Sequence, residues 1–227
     1  MKLSIIIPVY NEEKTVRIII QKVKDLKIPI KKEIIVVDDG SKDKSWQEIQ
    51  SIIGIKKIKH PKNMGKGAAV KSAIKESTGD IIIIQDADLE LDPIQIPDLI
   101  NPILEGKSEV VYGSRNAYRK DKGRSLLFYL GGHFITFITN ILFGTRLTDE
   151  PCGYKAFRSN IIKNIKINNN RFEWEPEVTA KIARKGIKIE EVPVKVQSRS
   201  IKEGKKLRRI DGIKALLTLI KYRFTNQ

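Results

Sequence analysis

Four consecutive isoleucines at 81–84 run straight into Gln85-Asp86-Ala87-Asp88-Leu89-Glu90. An apolar run of that length, stopped by polar residues, has the pattern of a strand buried on both faces. Alternate residues leaving a strand can aim to the same side, so Asp86 and Asp88 can share one hard cation, with Glu90 close behind. An all-oxygen donor set suits Mg²⁺ or Mn²⁺. A lone Asp-x-Asp would more simply be an acidic turn. Two other apolar runs also end in acid, however: Pro8-Val9-Tyr10-Asn11-Glu12 and Val37-Asp38-Asp39-Gly40-Ser41. A fourth run ends Gly113-Ser114-Arg115. If the strands are parallel, these ends gather on one edge, and three acidic clusters and an arginine line one cleft.

Other chemistries lack their residues. Asn63-Met64-Gly65-Lys66-Gly67 can open a helix and bring backbone N–H groups and a lysine beside an anion. It is not a P-loop, because no Lys-Ser/Thr follows the second glycine. No Gly-x-Gly-x-x-Gly follows the first strand. His60 and His133 are too few and too far apart for a zinc site. Cys152 is the only cysteine, which excludes an internal disulfide and fits a reducing setting.

The elements that must position these groups follow from the apolar patterning. Runs at 3–9, 33–37, 81–84 and 110–112 predict buried strands. A run at 189–196 alternates more and holds Pro193, which suits an edge or antiparallel strand. Helical patterns start at Asn11, a good N-cap, and cover about 43–53, 66–76 and 93–104. Pro97 and Pro102 break or kink the last. Strand and helix alternate, the signature of an α/β fold with a right-handed, mostly parallel sheet. Ligands of such sheets bind beyond the C-terminal strand ends. Residues 3–10 form a first strand rather than a signal peptide, because Pro8 interrupts the run and Glu12 and Glu13 follow. The 227 residues suit one domain, 1–198, with a basic extension, 199–227.

In the ordered set of these segments the sequence resembles the family-two inverting glycosyltransferases. Within them it is similar to the polyprenyl-phosphate hexose synthases, the dolichyl-phosphate mannose and glucose group. The segments already quoted are joined by Asp149-Glu150-Pro151-Cys152-Gly153-Tyr154-Lys155-Ala156-Phe157, Phe172-Glu173-Trp174-Glu175-Pro176-Glu177 and Glu203-Gly204-Lys205-Lys206. The match runs through nearly the whole chain. The resemblance implies a glycosyltransferase-A fold: a mostly parallel, Rossmann-like sheet flanked by helices, here with C-terminal amphipathic helices.

It also implies roles. Pro8, Tyr10, Asn11, Glu12, Asp38, Asp39, Lys66, Gly67 and Asp86 would hold the nucleotide sugar. Asp86, Asp88 and Glu90 would hold Mg²⁺ or Mn²⁺. Arg115 would contact the diphosphate or an acceptor phosphate, with Arg124, Arg199, Lys205 and Lys206 as further phosphate ligands. An acidic residue can serve as base for a hydroxyl acceptor, and Asp149, Glu173 and Glu175 are the local candidates. Asp88, Arg115, Asp149 and Glu175 are thus the catalytic set. The implied reaction transfers a hexose, from a UDP-glucose or GDP-mannose type donor, to a polyprenyl phosphate with inversion. Segments 173–177 and 203–206 look more like the glucose branch. Transfer to a hydroxyl of a saccharide or other soluble acceptor is the alternative. A sugar nucleotidylyltransferase would need a glycine-rich loop where Pro8-Val9-Tyr10-Asn11-Glu12 stands.

The net charge of +16 calls for an anionic partner or a lysine-rich, solvated surface. Much of the excess lies at 195–223. A nucleic-acid binder is disfavoured, because these cations are not interleaved with stacking aromatics and no reader motif occurs. An anionic membrane surface fits better. Residues 125–145 carry no charge and are long enough to span a bilayer. Gly132, His133, Thr136, Thr139 and Asn140 nevertheless form a polar stripe, as in a helix that lies in the interface or packs on the domain. Residues 211–224 form a second amphipathic pattern. Members of this group often carry transmembrane helices after the catalytic domain. Their lack here implies a peripheral protein on the cytoplasmic face, or a separate membrane subunit as partner.

Overall fold

The computed structural model describes residues 1–116, 126–199, 206 and 208–225. Among them, seven strands form one sheet: β1 (Lys2–Val9), β2 (Lys31–Asp38), β3 (Lys56–Lys59), β4 (Ile81–Ile84), β5 (Val110–Ser114), β6 (Lys155–Arg158) and β7 (Ile189–Pro193). Their order is β3-β2-β1-β4-β6-β5-β7. All are parallel except β6, which runs antiparallel to both β4 and β5. This is the α/β, mostly parallel architecture that the alternating runs predict.

Both faces of the sheet are covered, and the isoleucine runs show how. Leu3, Ile5, Ile7, Ile81 and Ile83 join one core, with Ile19 and Ile20 of α1 (Val16–Asp25) and Leu99 and Ile100 of α4 (Ile96–Leu104). Ile6, Ile82 and Ile84 join the other. Its helical side comes from Ala69, Val70 and Ala73 of α3 (Lys66–Glu76) and Trp174 and Val178 of α7 (Trp174–Arg184). Full burial of each isoleucine is worth about 1.5–3 kcal/mol, so continuous runs are what a doubly covered sheet demands. The remaining helices are α2 (Ser45–Gln50), α5 (Leu126–Phe143), α6 (Ser159–Lys163) and α8 (Arg209–Phe224).

Several expectations change. The first helix starts at Val16, not Asn11. Asn11 takes a left-handed backbone (φ 49°) and is pinned to the turn after β2: its N–H donates to Ser41 Oγ (2.9 Å) and its Oδ1 accepts from Lys42 N (2.8 Å). β3 and β6 are absent from the sequence reading. β3 reads Lys-Lys-Ile-Lys, with too few apolar residues to signal a strand, and the lysines guard an open sheet edge. β7 is an edge strand as expected, but it pairs parallel with β5 and ends at Pro193. Residues 93–104 break just before Pro97, into a 3₁₀ turn at Pro93–Gln95 followed by α4, whereas Pro102 lies inside α4 without ending it.

α5 and α8 pack together beside α7, around Ala180, Leu219 and Tyr222. The polar stripe of α5 faces inward. Thr139 is 0% exposed and Thr136 5%, whereas Leu130, Phe134, Phe137 and Ile141 are 53–63% exposed. The outer face of α8 likewise presents Ile210, Ile213, Leu217, Ile220 and Phe224. Among the described residues no helix is long and apolar enough to cross a membrane.

Candidate active site

The C-terminal ends of β1, β2, β4 and β5 open into one cleft of about 670 Å³. Pro8, Tyr10 and Glu12 enter it from β1, Asp39 from β2, Asp86, Asp88 and Glu90 from β4, and Arg115 from β5. Lys66 and Glu175 reach it from the first turns of α3 and α7. Eight groups predicted from separate motifs thus share one space with a lysine and a glutamate brought by helices. Because β6 runs backwards, the segment before it (149–153), not after it, lies on this edge.

The two aspartates after β2 differ sharply. Asp39 is spent on structure: Oδ1 accepts from Met64 N (3.0 Å) and meets His60 Nδ1 (2.7 Å), and Oδ2 accepts from Gly65 N (2.7 Å). These bonds shape the 63–67 turn, so its N–H groups point at a carboxylate of the protein itself. Asp38 is fully buried, its Oδ2 accepts only a long bond from Ser41 N (3.3 Å), and its Oδ1 has no partner. A buried carboxylate oxygen without a donor is costly, although Asp38 itself does not line the cleft.

Lys66 bridges Asp86 Oδ1 (2.8 Å) and Glu175 Oε1 (2.9 Å). Burial opposes its charge, but the two carboxylates outweigh burial and raise its pKa. Gly67 contacts protein, not open space: an added Cβ would stand 2.7 Å from Asn169 O and 2.8 Å from Trp174 Cβ. Gly65 has φ 104°, and a Cβ there would lie 2.3 Å from Asn170 O.

Leu89 takes a left-handed backbone (φ 63°) that turns the chain between Asp88 and Glu90. Burial first, then the charges of Asp86 and Glu90, push Asp88 up to about 7. Among the described residues no three acidic, His or Cys side chains close into a ready metal cage. Two crowded carboxylates on an open cleft still fit a divalent ion of the Mg²⁺ type. Such ions take one or two protein carboxylates and fill the rest of the shell with phosphate oxygens and water. Glu90 has one oxygen already engaged, its Oε1 accepting from Arg199 N (3.0 Å).

Arg115 is gripped by Asp149, Nε to Oδ2 and Nη2 to Oδ1, both 2.7 Å. Burial works against the guanidinium, but Asp149 more than restores it and raises the pKa. Glu173 lies 3.6 Å from Lys214. The three candidate bases, Asp149, Glu173 and Glu175, are therefore each paired with a cation. Arg199 and Lys206 both sit on Glu12, Arg199 in a two-pronged pair (3.2 and 3.0 Å) and Lys206 at 2.6 Å. Burial raises the Glu12 pKa, and the bonds from Arg199, Lys206 and Thr15 reverse that and lower it. Arg124 and Lys205 lie outside the described residues. Phe172, which opens the segment 172–177 already quoted, also lines the cleft, as do Arg171, Arg208, Ile210 and Lys214, which carry no sequence-based assignment. They arrive by tertiary folding from a loop and a helix start, and no spacing marks them.

The model of glycosyl transferase family 2 matches residues 4–166, most of the chain and all the strand ends just described. The chain belongs to glycosyl transferase family 2. It is 31% identical to a dolichol-phosphate mannosyltransferase of Pyrococcus furiosus over 90% of its own length, and spans 59% of that longer protein. It is 30% identical to a UDP-N-acetylglucosamine–dolichyl-phosphate N-acetylglucosaminyltransferase of Methanococcus voltae, with 84% of each chain covered. An uncharacterised Methanocaldococcus jannaschii protein is 31% identical over 96% of this chain and 91% of its own. Among solved structures, glucosyl-3-phosphoglycerate synthase of Mycobacterium tuberculosis with Mn²⁺, UDP and phosphoglyceric acid superposes with a TM-score of 0.75. It covers all of this chain and 80% of that one at 21% identity, a likeness of fold.

Proposed function

We propose that this family-2 glycosyltransferase moves a hexose from a nucleotide sugar to a polyprenyl phosphate with inversion, assisted by Mg²⁺ or Mn²⁺. The observation that carries the acceptor class is the pairing of every candidate base with a cation, while the guanidinium of Arg115 stands on the cleft. A hydroxyl nucleophile needs a base. A phosphate monoester does not, because its second pKa is about 6 and it is mostly dianionic at neutral pH. It needs cations to bring it beside a diphosphate, and a planar guanidinium bonds oxygens in pairs. The named relatives act on dolichyl phosphate, which agrees.

Asp38, buried just behind the cleft wall beside Val9, would take an N–H of the nucleotide base on its unpartnered Oδ1 once a side chain over it shifts. Asp86 and Asp88 would hold the divalent ion, which when bound supplies Lewis-acid stabilisation of the departing diphosphate. Lys66 would add positive charge next to it. Arg115 would orient the acceptor phosphate for attack on the face opposite the leaving group, and single displacement inverts the anomeric centre. Arg199 and Lys206 would add to the cationic rim.

The apolar outer faces of α5 and α8, flanked by Arg208, Lys214, Lys221 and Arg223, would rest on the anionic cytoplasmic leaflet. Each cation near such a surface is worth about 1 kcal/mol. A membrane subunit seated on the same face is the competing arrangement. The deciding experiment offers UDP-glucose and GDP-mannose, with Mn²⁺, to dolichyl and undecaprenyl phosphate, and follows lipid-linked sugar by mass spectrometry. Transfer to a soluble acceptor with none to lipid would overturn the reading.

A further inference from the structure

Glu177 is fully buried on α7, behind the cleft and outside it. Its carboxylate gathers five donors. Oε1 takes Asn168 N (2.7 Å), Lys181 Nζ (2.6 Å) and Tyr222 OH (3.0 Å). Oε2 takes Asn169 N and Asn169 Nδ2, both at 2.8 Å. Asn168 Nδ2 donates in turn to the Tyr222 oxygen (3.2 Å). One buried charge therefore ties a loop, residues 168–171, to α8.

That loop is the outer wall of the Lys66 turn. Asn170 O accepts from Ala68 N (2.9 Å), and Lys71 Nζ donates to Asn170 Oδ1 (2.5 Å). The carbonyls of Asn169 and Asn170 press so closely on Gly67 and Gly65 that neither position has room for a Cβ. The next residues, Arg171 and Phe172, line the cleft, and Glu175 bonds Lys66. At its other end α8 contributes Ile210, Asp211 and Lys214 to the same cleft, and its N-cap contributes Arg208.

We infer that Glu177 and Tyr222 are positioning residues for donor binding. Together they set the seat of α8 and the 168–171 loop against the turn that holds Lys66. Neither touches the ligand. A tight backbone-to-glycine contact transmits displacement because neither partner has a side chain that can yield. This inference rests on the donor site proposed above.

Tyr222→Phe removes the hydroxyl and keeps the ring, and Glu177→Gln removes the charge and keeps the shape. Titration calorimetry with UDP and with GDP, each with Mn²⁺, gives nucleotide affinity. Hydrogen exchange at amides 64–68 reports the turn directly. The expected result for Tyr222→Phe is roughly tenfold weaker nucleotide binding, the scale of one hydrogen bond to a charged group. The KM for donor should rise alongside with kcat nearly unchanged, and exchange at 64–68 should quicken. Leu219→Ala, which removes core packing from α8 but leaves the Glu177–Tyr222–Asn168 bonds in place, should lower Tm without that change in nucleotide affinity. Folded Tyr222→Phe with wild-type affinity and wild-type exchange overturns the inference. If Glu177→Gln does not fold, Tyr222→Phe decides alone. If the wild-type protein binds neither nucleotide, the donor reading fails and this inference falls with it. Wild-type binding that both variants retain sinks only the inference.

Discussion

Asp149 holds Arg115 by three bonds at once: its carboxylate accepts from the backbone N–H (2.9 Å), from Nε (2.7 Å) and from Nη2 (2.7 Å) of the arginine. A carboxylate so engaged aims a guanidinium and is poorly placed to take a proton. Asp149→Asn should therefore lower turnover by roughly 10–100-fold through misplacement of Arg115, while the shape of the pH–rate profile stays that of wild type. Loss of the acidic limb in the variant would instead mark Asp149 as a base. Arg115→Lys should cost at least as much, because an ammonium cannot keep the paired geometry. Melting curves must accompany both, since breaking a buried pair costs about 3–5 kcal/mol.

Asp88→Ala should reduce transfer by roughly 10³-fold, the rate equivalent of about 4 kcal/mol of lost Lewis-acid stabilisation, and should leave the fold intact. Titration calorimetry should find Mn²⁺-dependent nucleotide binding lost as well. Near-normal transfer by this variant in Mn²⁺ would remove Asp88 from the metal site.

Glu33 predicts a pH dependence of stability away from the cleft. Partial burial disfavours its charge, but Lys2 Nζ, Ser4 Oγ and the N–H and hydroxyl of Thr78 outweigh burial and lower its pKa to about 2. A depressed folded-state pKa stabilises above the unfolded value of 4.5 and is lost as pH falls toward about 2. Allowing for solvent screening, Glu33→Gln should cost about 1–2 kcal/mol at pH 7 and almost nothing near pH 2. Urea unfolding at both pH values measures the difference.

Phe137→Asp combined with Leu217→Asp should weaken binding to anionic vesicles by at least about tenfold, since each large apolar side chain withheld from a lipid phase is worth about 1.5–3 kcal/mol. Nucleotide affinity should be unchanged. Vesicle sedimentation at low and high salt checks this, and wild-type binding by the double variant would show that lipid does not cover this face.

The sheet was legible where burial on both faces forces continuous isoleucine and valine, as at residues 3–9 and 81–84. It was illegible at β3, whose lysines protect an edge, and at β6, whose four residues are too short to show a period. The parallel strands made the acidic cluster legible as one site. The division between Asp38 and Asp39 was not, because adjacent carboxylates read alike until His60, Met64 and Gly65 claim one of them. For α5 the pattern gave amphipathicity but not direction. Which face turns inward is decided by partners distant in sequence, such as Glu150, whose N–H bonds Thr136 Oγ1 (3.1 Å).

The reversed β6 has one more effect. The chain leaves the cleft at Arg115 and returns behind its wall at Asp149, just before Pro151 and Gly153, which line it, and Arg115 and Asp149 are bonded to each other. The stretch between them, α5 included, is thus an excursion with both ends riveted at one point of the sheet edge. Closure of such a loop depends only weakly on its length. Lengthening its connecting loops therefore leaves the sheet in register, while α5 itself stays packed on α7 and α8. Length can thus be added beside the cleft without moving the strand ends that line it.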